Sequence, residues 1–318
     1  ERIRSNRDEL GEDQSIELAA ETLRVATGAK IEISKRRVQA EEKEQAPESS
    51  YLLFLSSQQL DNLADLAVEG ASNIKEFFKS KKNKDRARQA ANTRHSVDIA
   101  LFGRMVADSA DLNVDAAVQV SHALSVHAVE TESDYYTAVD DRTKDSESGA
   151  GMIGVVDFNA ATFYRYAAVD VDLLHRNLAA GMHEDQRRTE LVRRAVQAFL
   201  RYFVTSLPGG KINSFANHTL PDAVIVKLRT SRPINFVGAF ESPVSADETG
   251  GHLEKSCEQL VAHVRDLERT YGCDSDPTWV LRVGAATESL TELGTEVTLA
   301  DMVEEVGTVV EKRLESEA

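Results

Sequence analysis

Cysteine, proline and long apolar runs are all scarce in this chain. Cys257 and Cys273 are its only cysteines. Two thiols cannot make a zinc site alone, and their spacing matches no ligand motif. A reduced, cytoplasmic protein is expected. Six prolines exclude long Pro-rich linkers. No uninterrupted apolar run is long enough for a membrane-spanning helix. The start, at Glu1, lacks the charged, apolar and small-residue pattern of a signal peptide. Glu1 to Arg7 reads like the interior of a protein, so the true start is expected to be missing. What is present is ordinary for a soluble globular protein: 42% hydrophobic and 28% charged residues, which excludes collagen-like and fully disordered classes. The 318 residues exceed one typical domain length.

Charge is unbalanced in sum and in place. The net charge is −16, which by itself disfavours a nucleic-acid partner, because phosphate contacts need Lys and Arg. Yet Lys75 to Arg94 holds eight bases against Glu76 and Asp85, a net of +6. The last stretch, Ala285 to Ala318, holds nine acids and two bases, a net of −7. A local basic patch binds an anion whatever the global sum.

Periodicity sketches the organisation. Ile16, Ala19, Ala20, Leu23 and Ala26 recur at helical spacing, with Gly28 as a stop. Lys35 to Ser50 reads as a charged, exposed connection. Ser56 and Gln59 fit a capping box before the stripe Leu60, Leu63, Leu66 and Ala67, which Gly70 ends. Asn113 is read as the N-cap of a helix burying Val114, Ala117, Val118 and Leu124. Asp134 to Asp141 and Gly149 to Asn159 read as the arms of a long hairpin around a polar tip, Arg142 to Ser148. A strand is expected over Ala161 to Val171. Helices then follow around Leu173 to Leu178, over Glu184 to Ser206, over Leu253 to Leu267 and over Thr298 to Leu314. Strands are expected at Ala223 to Val226 and Trp279 to Leu281. No repeat period is visible, and the pattern is α+β.

Several ordered segments carry a family resemblance. V-D-I-A-L-F-G-R-M (Val97 to Met105), N-V-D-A-A-V-Q-V-S-H-A-L-S-V-H (Asn113 to His127) and D-Y-Y-T-A-V-D-D (Asp134 to Asp141) resemble the CasC family. So do G-A-G-M-I-G-V-V-D-F-N-A-A-T-F-Y-R-Y-A (Gly149 to Ala167) and the P-G-G-K-I-N-S-F-A loop (Pro208 to Ala216). CasC proteins belong to the RAMP superfamily and form the backbone of the type I-E CRISPR surveillance complex, Cascade. The resemblance implies an RRM-like (ferredoxin-like) palm with a helical fingers insertion and a β-hairpin thumb. Along the chain that gives a helical fingers region at 1–116, palm at 117–128, the thumb hairpin at 129–160 and the rest of the palm with C-terminal helices at 161–318. It implies a non-catalytic, CRISPR RNA-binding subunit that stacks with copies of itself into a helical filament. Such a filament holds the guide extended and segmented for pairing with target double-stranded DNA in antiviral defence. Its other partners are the remaining Cascade subunits; neither a membrane nor a cofactor or metal is implied. The family's opening palm strand and its basic S-S-Q-x-x-K-R-A helix start are absent from this chain.

The resemblance places Met105 beside a kinked nucleotide and Thr137 on the thumb. Lys211 falls in a glycine-rich loop, although Ile212 stands where the family usually has Gln. From the residues themselves, Gly209 and Gly210 let a backbone approach a phosphate and Lys211 adds a charge; an ordinary tight turn explains the same letters. Lys81, Lys82 and Lys84 centre the basic run, which reads as an RNA or DNA crossing or as a solvated helix face. Arg104 beside Met105 puts a cation next to an apolar wedge, or Met105 fills a core gap. Phe163 to Tyr166 resembles an aromatic base-stacking strand, with core packing the plainer reading. Two other classes stay open: a metal-dependent ribonuclease of the RAMP type using Asp140, Asp141, His122 and His127, and a scaffold without nucleic acid. Adjacent Asp residues on a strand face opposite ways, and histidines five apart miss the helical i, i+4 spacing.

Overall fold

The computed structural model describes residues 1–7, 9–33, 47–138, 152–182, 188–247, 250–273 and 277–316. The chain forms two compact units, each drawn from separate stretches of sequence. The first comprises 1–119, 168–200 and 304–318; the second comprises 120–167 and 201–303. Helices and strands are mixed throughout, as the α+β pattern predicts.

The first unit is built on helices whose ends the sequence marks clearly. Ser56 Oγ accepts from the Gln59 N–H at 3.0 Å, and Gln59 Oε1 accepts from the Ser56 N–H at 2.8 Å. This capping box opens the helix Ser57–Glu69, and Gly70 closes it. The helix Glu12–Thr27 ends at Gly28 in the left-handed conformation, where a residue without Cβ is unstrained. Its buried face is Ser15, Leu18, Thr22 and Ala26. Ile16, Ala19 and Ala20 are only half-buried, so the apolar stripe is rotated from the expected one. The basic helix Lys81–Ala91 buries only Ala87, Ala90 and Ala91. Small residues on its inner face let it lie close to the core while every charge points outward. That core joins Leu18, Leu63, Leu66, Ile74, Phe78, Val106 and Leu112.

The helix expected from Asn113 does not form. Asn113 Oδ1 accepts from the Val106 N–H at 2.7 Å instead of capping its own next turn. The following backbone is extended, and the segment holds only the short strands Val118–Val120 and Leu124–Ser125. A capping side chain used by a distant backbone group leaves no helix start. The strand expected over Ala161 to Val171 is broken as well. Phe163–Tyr164 and Ala167–Val169 are separate strands, and Val171 already begins the helix Val171–Ala179. Asp170 caps that helix by accepting from the Leu173 N–H at 2.8 Å.

The second unit holds a three-stranded sheet. Ala223–Lys227 runs antiparallel to Thr278–Arg282, which pairs in parallel with Thr295–Glu296. The helix His252–Tyr271 and the 3-10 segment Ala285–Leu293 pack on it around Cys257, Val261, Val280 and Leu290. The expected hairpin is present: Glu132–Ala138 pairs antiparallel with Met152–Phe158, from Glu132↔Phe158 to Ala138↔Met152. Its polar tip lies outside the described residues, as does most of the charged connection from Lys35. Among the described residues the other strands form two-stranded pairs. No described helix is long and apolar enough to cross a membrane.

Candidate nucleic-acid interface

The candidate residues divide between the two units. In the first, the basic run splits into paired and unpaired cations. Lys79 meets Glu76 at 2.7 Å, Arg86 meets Glu69 at 2.7 Å and Lys75 meets Glu17 at 3.8 Å. The Arg86 hydrogen bond, with Lys82 adding to the field, holds the Glu69 carboxyl below its ordinary range. Lys81, Lys82, Lys84 and Arg88 are exposed. Among the described residues no carboxylate forms an ion pair with Lys81, Lys84 or Arg88. The helix therefore offers a row of cations along its outer face.

Met105 is 82% exposed. It stands between two clamped residues. Arg104 exchanges both backbone hydrogen bonds with Val114, at 2.9 and 2.8 Å, and Val106 is buried with its N–H held by Asn113. Gly103, with φ +78°, makes the turn that leads in. Met105 is thus no core filler; it is an apolar side chain aimed at solvent from a rigid base.

Arg104 itself goes the other way. It is 5% exposed, and its guanidinium donates to Leu112 O at 2.9 Å, Phe54 O at 3.3 Å and Asn92 Oδ1 at 3.3 Å. Burial lowers its pKa, and its charge, after desolvation, helps push His95 down to about 4. The sequence reading set Arg104 toward a ligand; the structure commits its donors to the protein's own oxygens.

In the second unit, Thr137 lies opposite Ile153 on the hairpin and shares a face with Tyr135 and Val155. All four are exposed, Tyr135 at 62% and Ile153 at 59%. On the other face Tyr136 lies over Gly154, where an added Cβ would come within 2.5 Å of the ring. Lys211 adopts φ 54°, and its Nζ sits 6.0 Å from the Phe215 ring centroid. Phe215 in turn meets Phe158 at 6.3 Å, joining the loop to the hairpin's base. A Cβ at Gly209 or Gly210 would meet nothing within 4 Å. These glycines answer no crowding inside the chain, and the loop's backbone is open to an incoming group.

The aromatic strand divides by residue. Tyr164 is a packing residue: its hydroxyl donates to Asn235 Oδ1 at 3.1 Å and accepts from the Phe236 N–H at 3.2 Å, and burial pushes it up to about 12. Arg165 lies 4.5 Å over the Phe203 ring, while Phe163 is 54% exposed. His122 and His127 lie on no helix. His127 Nε2 accepts from the Thr162 N–H at 3.0 Å and Nδ1 donates to Ala128 O at 2.8 Å, with the ring stacked on His252 at 3.9 Å. Both ring nitrogens are therefore occupied. Asp140 and Asp141 lie outside the described residues. Among the described residues no group of three or more His, Cys, Asp or Glu is placed to hold a metal ion.

Sequence reasoning missed Leu52 and Phe54, which are 83% and 63% exposed. The run Y-L-L-F-L from Tyr51 hides an alternation, with Tyr51, Leu53 and Leu55 packed on the core. Only a period of two applied inside that run separates its faces.

A family model described as CT1975-like protein matches residues 1–305. The chain belongs to the CT1975-like family. Solved structures resemble it over long stretches. A chain of a "CRISPR RNA-guided surveillance complex, pre-nicking" superposes on this CT1975-like chain with a TM-score of 0.76 at 29% identity, over 97% of this chain and 82% of that one. A chain of another "CRISPR RNA-guided surveillance complex" gives 0.56 at 35% identity, over 66% of this chain and 78% of that one. No curated protein matches the CT1975-like chain.

Proposed function

We propose that this CT1975-like chain is a non-catalytic, CRISPR RNA-binding backbone subunit of a Cascade-type surveillance complex, of type I-E and CasC-like. Copies polymerise along the guide and hold it extended for pairing with target DNA, beside other Cascade subunits, in the cytoplasm. The observation that carries the reading is the likeness over 97% of the chain to a chain of a CRISPR RNA-guided complex. The sites support it without base-edge chemistry. Exposed Lys81, Lys82, Lys84 and Lys211 suit phosphates, and exposed Met105 suits an unstacked base. Gly209 and Gly210 leave backbone N–H groups approachable. In this reading the hairpin bearing Thr137 is the thumb, 1–116 belongs to the fingers, and 117–128 with 161–318 makes an RRM-like palm.

The test is fluorescence anisotropy of a fluorescein-labelled, unstructured RNA titrated with the full chain in magnesium, with the RNA then run on a gel. The expected result is binding with the RNA intact. Binding followed by cut RNA transfers the assignment to a ribonuclease, with Asp140 and Asp141 as first suspects. An absence of binding contradicts the reading.

A further inference from the structure

Met105 is exposed between two held neighbours, and a side chain supplies one of the holds. Arg104 and Val114 exchange both backbone hydrogen bonds, at 2.9 and 2.8 Å. In an antiparallel ladder the next hydrogen-bonded rung would pair Val106 with Leu112. Leu112 is engaged elsewhere: its N–H donates to Ser109 O at 3.0 Å, and its carbonyl accepts from Arg104 Nε at 2.9 Å. The Val106 N–H goes instead to Asn113 Oδ1, at 2.7 Å. The Asn113 amide thus stands in for the missing rung.

Two fixed rungs dictate where the residue between them points. Successive side chains of an extended chain face opposite sides. Arg104 and Val106 are 5% and 1% exposed, and Met105 between them is 82% exposed. Releasing the Val106 N–H frees the chain just after Met105, and the thioether loses its fixed direction. The rung before Met105 does not depend on Asn113. Asn177 backs that rung, its Nδ2 donating to Ala100 O at 3.0 Å and to Asp115 O at 2.9 Å. Without the Asn113 amide the turn keeps these supports, and the aim of Met105 does not.

We propose that Asn113 is a positioning residue for RNA: it holds the chain after Met105, so that the thioether meets an unstacked base without first having to be ordered. This rests on the RNA-binding reading above and adds the residue that aims one of its contacts. The test is a double-mutant cycle on the full chain with the same labelled RNA. Met105→Ala is expected to weaken binding. Asn113→Ala is expected to weaken it by roughly two- to ten-fold, the scale of one side chain left to be ordered on binding. The double variant binds no more weakly than Met105→Ala alone, because Asn113 acts through Met105. Asn113→Asp keeps an acceptor for the Val106 N–H, so Met105→Ala costs the same factor in that chain as in the native one. A merely structural Asn113 would lower the melting temperature and leave the two losses to multiply.

Three results overturn the proposal: losses that multiply, native affinity for Asn113→Ala, or an Asn113→Asp chain in which Met105→Ala costs nothing. The last decides the matter even where Asn113→Ala does not fold. Should Met105→Ala bind like the native chain while Lys211→Ala loses affinity, the RNA-binding reading stands and the role of Asn113 alone falls. A native chain that binds no RNA overturns both claims.

Discussion

Two cations in this chain follow a glycine, and the structure uses them in opposite ways. Gly103-Arg104 is a structural joint. Gly103 takes φ +78°, and a Cβ there would come within 2.7 Å of Val114 O and 3.0 Å of Ala116 N. Arg104 is then drawn inward onto Leu112, Phe54 and Asn92. Gly210-Lys211 is a surface loop. A Cβ at Gly210 would meet nothing within 4 Å, and Lys211 is exposed in a left-handed conformation. A glycine followed by a cation thus serves rigidity in one unit and access in the other. The deciding factor is which backbone oxygens lie within reach, and no local spacing encodes that.

The largest expected effect breaks the first half of the comparison. Arg104→Met removes three hydrogen bonds and leaves two carbonyl oxygens without this donor, so a loss of about 3 kcal/mol or more is expected in chemical denaturation. Native stability for this variant would mean Arg104 is not a structural hub. Next, Gly103→Ala forces a Cβ into Val114 at a positive φ and should cost about 1–3 kcal/mol, whereas Gly210→Ala should stay within about 0.5 kcal/mol of native. Equal losses at the two glycines would erase the contrast.

Acid sharpens the same region. Burial, then the Arg104 charge, lowers His95 from its ordinary 6.5 to about 4. Its Nδ1 accepts from the Gln59 amide N–H at 3.1 Å. The unfolded chain therefore binds a proton at this site between those two values while the folded chain does not. Stability rises with pH across that window and is lost as pH falls from about 6.5 toward 4. Denaturation midpoints of the native chain and His95→Gln across that range check it; the variant should show a shallower decline.

Legibility followed the range of the interaction. The Ser56–Gln59 capping box, the Gly28 stop and the two arms of the hairpin are local, and the sequence shows each of them. Asn113 misled because its side chain serves Val106, on another segment. The buried Arg104 finds one of its acceptors, Phe54 O, 50 residues away in the sequence. The second unit's His127 bonds a backbone 35 residues away, which no helical spacing anticipates. The candidate cations Lys81, Lys84 and Lys211 were readable because exposed charges need no partner to be where they are.

The smallest effect is also the most direct test of the central claim, that Lys211 and the glycine loop face a phosphate. It is the salt dependence of RNA binding by the native chain and Lys211→Ala, with thermal melts alongside. The account predicts a modest loss of affinity for every RNA sequence, an unchanged melting temperature and a log–log salt slope lowered by roughly 0.7, one single-strand phosphate contact. An unchanged slope would contradict it.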